Sequence, residues 1–147
     1  INKIIDGICE KLNESFGDGY EIYTELKKQG LKEPCFSVTL VNPINNQVIG
    51  NRYFRNNLFS ILYFPASKEP KNECYAVLEK LYLALETIKI KETLPDDTVR
   101  EGLVRGTNMH GELIDDVLNF FVNFNLFVYQ IEDTDLMEEV VQKSDLK

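Results

Sequence analysis

The stretch VLNFFVNFNLFVYQI, residues 117–131, carries the most regular pattern in the chain. Its even positions, Leu118, Phe120, Val122, Phe124, Leu126 and Val128, are all apolar. Successive side chains of a strand point to opposite faces, so a period of two assigns these residues to a core face. The odd positions, Asn119, Phe121, Asn123, Asn125, Phe127 and Tyr129, mix amides with aromatics. That second face is neither core-like nor freely soluble, a composition suited to a partly wet interface.

Upstream, Asp115-Asp116 separates this strand from another extended run, residues 103–113. Asp tolerates positive φ, so the pair reads as a two-residue hairpin turn. In that register Phe121 faces His110, Val122 faces Met109 and Asn123 faces Asn108. Gly106 and Gly111 then mark bulges or close approaches within the hairpin.

Working outward, residues 1–16 place Ile1, Ile4, Ile5, Ile8, Leu12 and Phe16 at helical spacing, and Gly17-Asp18-Gly19 stops that helix. Residues 20–25 read as a first strand, 27–33 as a polar connection and 35–41 as a second strand alternating Phe36, Val38 and Leu40. Residues 44–51 read as an Asn-rich loop with a turn at Gly50. Residues 52–64 read as a long third strand, apolar on both faces towards its end, which implies cover on both sides. A second helix spans about 69–87, with Ser67 as N-cap and Pro70 in its first turn. Its buried stripe is Cys74, Val77, Leu78, Leu81, Leu85 and Ile88. Residues 89–98 read as a linker with a short strand at 89–91. The order α-β-β-β-α-β-β defines an α+β class, an antiparallel or mixed sheet packed by two main helices and ending in a long hairpin. One domain is expected over residues 1–131, followed by an acidic extension, 132–147, either a short helix through Leu136, Met137, Val140 and Val141 or a frayed tail.

The chain has 147 residues, a net charge of -8 and 44% hydrophobic residues. No run approaches the roughly 20 consecutive apolar residues of a membrane span. The acidity opposes duplex binding, which needs a basic face to displace counterions. The expectation is a soluble intracellular protein with neither membrane nor specific nucleic-acid partners.

The residues that carry chemistry are sparse. Cys9, Cys35 and Cys74 are widely spaced with no CxxC, so they read as small apolar residues rather than a zinc or redox site. His110 is the only histidine and no GxSxG is present. Asp96-Asp97, Asp115-Asp116 and Glu138-Glu139 are adjacent acids, which on a strand or turn point apart. No calcium loop or P-loop spacing occurs. The expectation is therefore no enzyme, no metal and no cofactor. Arg52, Arg55, Arg100 and Arg105 stand among aromatics and Asn, and read either as solvated strand ends in salt bridges or as interface residues. The candidate protein interface comprises Arg52, Tyr53, Phe54, Arg55, Arg105, Asn108, His110, Phe121 and Asn123.

Several stretches taken in order carry a family resemblance. They are Ile4-Ile5-Asp6-Gly7-Ile8, Gly17-Asp18-Gly19-Tyr20-Glu21-Ile22-Tyr23, Leu31-Lys32-Glu33-Pro34-Cys35-Phe36, Gly50-Asn51-Arg52-Tyr53-Phe54-Arg55 with Tyr63-Phe64-Pro65, and Leu103-Val104-Arg105-Gly106-Thr107-Asn108-Met109. From Ile4 to about Val128 the chain resembles the small phage tail terminator-like proteins of prophages in Gram-positive bacteria. The resemblance implies an α+β subunit of a homo-oligomer, usually a hexameric ring, that caps the head-proximal end of the tail tube and meets head-completion proteins. It implies assembly in the bacterial host cytoplasm and a final place in the virion tail. A head–tail connector or another non-enzymatic binding module of a prophage is the alternative. The acidic extension and the Asp-Asp turn, where Asp-Gly is expected, depart from the family pattern.

Overall fold

The alternation in residues 117–124 is realised as strand β8 (Val117–Phe124), which buries Leu118, Phe120, Val122 and Phe124 completely and leaves its odd residues half-exposed. The computed structural model describes residues 1–25, 32–93 and 95–129. Along the chain run α1 (Asn2–Phe16), β1 (Glu21–Tyr23), β2 (Cys35–Leu40), β3 (Ile44–Ile49), β4 (Arg52–Asn56) and β5 (Leu58–Phe64). They are followed by α2 (Pro70–Ala84), β6 (Thr87–Thr93), β7 (Val99–Ile114), β8 and β9 (Leu126–Tyr129). The expected extension, 132–147, lies outside the described residues, as do 130–131 of the last strand and most of the connection between β1 and β2.

Six strands form one sheet in the order β1-β2-β5-β8-β7-β6, antiparallel except for the β1–β2 pair. Both helices cover the same face. Ile4, Ile8 and Leu12 of α1 and Cys74, Val77 and Leu81 of α2 join Phe36, Val38, Phe59, Ile61, Tyr63 and the even residues of β8 in one core. The other face carries no helix among the described residues. This corrects the expectation of cover on both sides of residues 52–64: Leu58, Leu62 and Phe64 remain half-exposed there.

The expected third strand bends at Asn57, and the last strand bends at Asn125 beside it. Pairing continues across the bend without slipping. Leu58 pairs with Asn123 on one side and Arg55 with Leu126 on the other, both summing to 181. Residues 44–51, expected as a loop, supply β3, and β3-β4-β9 make a three-stranded sheet. Its strands extend β2, β5 and β8 beyond the bend, so it projects as an arm from one end of the main sheet.

The Asp115-Asp116 turn is present, with φ of 51 and 62. Both central residues in the left-handed region is what a type I′ hairpin requires. The expected register holds from the turn to His110–Phe121. A bulge at Asn108 and Met109 then shifts it, so Asn123 pairs with Thr107 instead of Asn108, and Met109 drops out of its pairing with Val122. Asn108 has φ 52, which an L residue other than Asn or Asp adopts reluctantly. The short strand expected at 89–91 is part of a longer one, β6, which takes half of the expected 89–98 linker and pairs with the first half of β7.

Ser67 does not cap α2; the cap residue is Glu69, whose N–H donates to Ser67 Oγ at 3.2 Å. The entry to α2 is clamped instead by Glu73. Its carboxylate accepts from the Tyr63 hydroxyl, from Ala66 N–H at 3.2 Å and from Ser67 N–H at 2.9 Å. Burial pushes the Glu73 carboxyl up, but these donors outweigh it and hold it below its ordinary value. Burial, then the Glu73 hydrogen bond, drive the Tyr63 phenol well above its usual range.

A Cβ on Gly106 would run into the Leu85 carbonyl oxygen and the Val122 side chain, so Gly106→Ala should cost about 1–3 kcal/mol, read as a lower urea midpoint at unchanged slope. Because the Glu73 carboxyl is depressed in the folded state, its contribution is present above the unfolded value and lost as pH falls through the folded one. The melting temperature of Glu73→Gln should therefore lie below that of the native chain at neutral pH, with the gap closing as pH falls through and below the ordinary carboxylate range.

Candidate protein interface

Odd residues of β8 define the helix-free face. Asn119 pairs with Leu62 and Glu112, Phe121 with Ser60 and His110, and Asn123 with Leu58 and Thr107. Ser60 Oγ donates to Asn119 Oδ1 at 2.7 Å, and Thr107 Oγ1 donates to the Asn123 carbonyl at 3.4 Å. The exposed His110 ring stacks on half-exposed Phe121, with centroids 4.9 Å apart at 21°. His110 Nδ1 lies 3.3 Å from the Asn108 carbonyl oxygen, a contact that needs the proton on Nδ1. Arg105 stands on the same face, exposed, opposite Thr87 of β6. Strand pairing thus gathers Arg105, His110, Phe121 and Asn123, while Asn108 sits at the bulge beside them.

Arg52, Tyr53, Phe54 and Arg55 do not join that patch. They form β4 in the arm, beyond the bend, and all four are half-exposed. Alternation divides them, with Arg52 and Phe54 on one arm face and Tyr53 and Arg55 on the other. Arg55 Nε donates to Asn45 Oδ1 of β3 at 3.1 Å.

Sequence reading missed two parts of this surface. Leu58, Leu62 and Phe64 share the helix-free face; their alternation with Phe59, Ile61 and Tyr63 was visible, but it gave no sign of which side lacked cover. The β3 edge exposes Ile44, Val48 and Ile49, the last at 73%. The run INNQVI has no periodicity that would have revealed a strand.

Among the described residues, no group of three or more His, Cys, Asp or Glu side chains could hold a metal ion. Burial raises the thiols of Cys35 and Cys74, and both are enclosed. Reactive cysteines are instead exposed and shifted down. No helix among the described residues is long and apolar enough to cross a membrane.

Among the described residues, two helices cover one face of the main sheet, the other face carries none, and a second, three-stranded sheet continues beyond it. Residues 3–135 match the family model of the phage tail terminator protein, and the chain belongs to that family. It is a structural phage tail protein, a component of the virion tail. No curated protein matches it significantly.

His110→Ala should change unfolding free energy by less than about 0.5 kcal/mol, as for most surface substitutions. The same variant should complement tail assembly less well than the native chain, as counted by plaque titre.

Proposed function

We propose that the chain is the tail terminator itself, a non-enzymatic subunit that assembles with copies of itself into a ring, six by the family resemblance. The ring caps the head-proximal end of the tail tube, stops its polymerisation and offers a surface to head-completion proteins. It assembles in the host cytoplasm and needs no cofactor.

The observation that carries this reading is the helix-free sheet face in a chain of this family. Leu58, Leu62, Phe64 and Phe121 stay half-exposed there in the isolated subunit. Each Å² of apolar surface removed from water stabilises a contact by about 25 cal/mol before the ordering cost of association. The amides and His110 interleaved with them give a contact that is polar as well as apolar. A closed ring needs two unlike sticky surfaces on each copy, and the arm supports the reading by offering a second.

Phage lacking this protein should produce tail tubes of uncontrolled length with heads unattached, seen by negative-stain electron microscopy. Supplying the native chain in trans should restore uniform tails. Tails of normal length joined to heads in its absence would contradict the proposal.

A further inference from the structure

The two helices differ on their outer sides. Every exposed residue of α1 is polar. α2 exposes Tyr75, Ala76, Tyr82 and Leu83, with Tyr75 at 54% and Leu83 at 76%. Spacings of seven and eight put these four on one side of the helix, opposite the buried stripe of Cys74, Val77 and Leu81. A helix with apolar residues on both sides is one that is covered on both. Among the described residues nothing lies over the outer side of α2, just as nothing lies over the open sheet face.

Three contacts fix how α2 lies along the strands. Cys74 Sγ is 3.8 Å from the Asp116 carbonyl oxygen. A Cβ on Gly111 would meet the Leu78 side chain. The Gly106 N–H donates to the Glu86 carbonyl at 2.9 Å. Lys71, one turn before Cys74, is therefore level with the Asp115-Asp116 turn, and Glu86 is level with Arg105. Tyr75 and Leu83 fall between them. At these same levels the sheet carries exposed Asp115 and Asp116 at one end and exposed Arg105 towards the other. Half-exposed Phe64, Leu62 and Phe121 lie between on the open face.

We propose that the outer side of α2 in one copy packs on the open sheet face of the next, with the strands running along the ring axis. This rests on the ring reading and makes α2, rather than the arm, the second of the two unlike surfaces that a head-to-tail contact requires. Rotation about an axis parallel to the strands moves no residue along it, so neighbouring copies meet level for level. Lys71 then faces the acidic turn, Tyr75 and Leu83 cover Leu62, Phe64 and Phe121, and Glu86 faces Arg105. Opposite charges close both ends of an apolar contact. Turning the second copy end for end would set Lys71 on Arg105 and Glu86 on the two aspartates, so charge also fixes the direction. Of the other charges on α2 and its entry, Lys68 and Glu69 offset each other and Lys80 leans over the Phe16 ring at 5.2 Å. Glu79 comes between His110 and Glu112 and gains no cation.

Sedimentation velocity of the full chain, alone and with tail-tube subunits of the same phage, tests the contact, with circular dichroism melts to confirm folding. Glu86→Lys and Arg105→Glu should each weaken self-association about tenfold or more. The chain carrying both should regain it, because each contact pairs Glu86 of one copy with Arg105 of the next. The native charge is -8, so a general charge effect would make Glu86→Lys associate more strongly, the opposite sign. Glu79→Gln should not weaken association. Leu83→Asn should weaken it without lowering the melting temperature, and keeps the test open if a charge variant melts early. Rings that persist in the single variants, or a double variant no better than either single, overturn the α2 contact and leave the ring reading standing. A native chain that stays monomeric both alone and with tube subunits overturns both.

Discussion

Everything distal to the main sheet hangs on the amide corner at Asn57 and Asn125. Asn57 is 1% exposed, and its side-chain amide donates to the Phe124 carbonyl at 3.0 Å. The Phe124 N–H donates to the Asn57 carbonyl at 2.9 Å, and the Asn57 N–H donates to Asn125 Oδ1 at 3.3 Å. Two strands turn away from the main sheet here, and their peptide groups would lose partners if nothing replaced the ladder. A buried polar group left unpaired costs about 1–3 kcal/mol, so the corner is permitted only because the two asparagines fill these positions. With them in place the register carries across the gap between the two ladders, and β4 and β9 leave in the register β5 and β8 set.

The consequence is a molecule with a defined long axis. Its core is fixed by the even residues of β8, the odd residues of β5 and the two helices on one face. Its open face and its arm are then placed relative to that core by strand pairing rather than by loops, and surfaces carried on paired strands are held more rigidly than surfaces on loops.

Much of this was legible in the residues. The period of two in 118–128 identified the core face of β8, and Asp115-Asp116 identified the turn, because both depend on local backbone geometry. The hairpin pair His110–Phe121 followed from counting back from that turn. What was not legible depended on tertiary context. Asn57 in an otherwise apolar strand looks like any polar residue until Phe124 is beside it. Asn108 takes a positive φ that many asparagines never use, so the bulge and the shifted partner of Asn123 left no mark. The strand at 44–49 is held by pairing with β4 and not by burial, and an unburied strand has no hydrophobic period. The same limit split the interface residues into two places, since sequence spacing does not show a bend.

Native-state hydrogen exchange at the Phe124 amide tests the corner most directly. If the corner fixes the arm to the core, this amide exchanges as slowly as those of Phe120 and Val122, through global unfolding alone. Its denaturant dependence then matches theirs. Exchange orders of magnitude faster, with little denaturant dependence, would mean that the arm opens separately from the sheet, and would contradict the account.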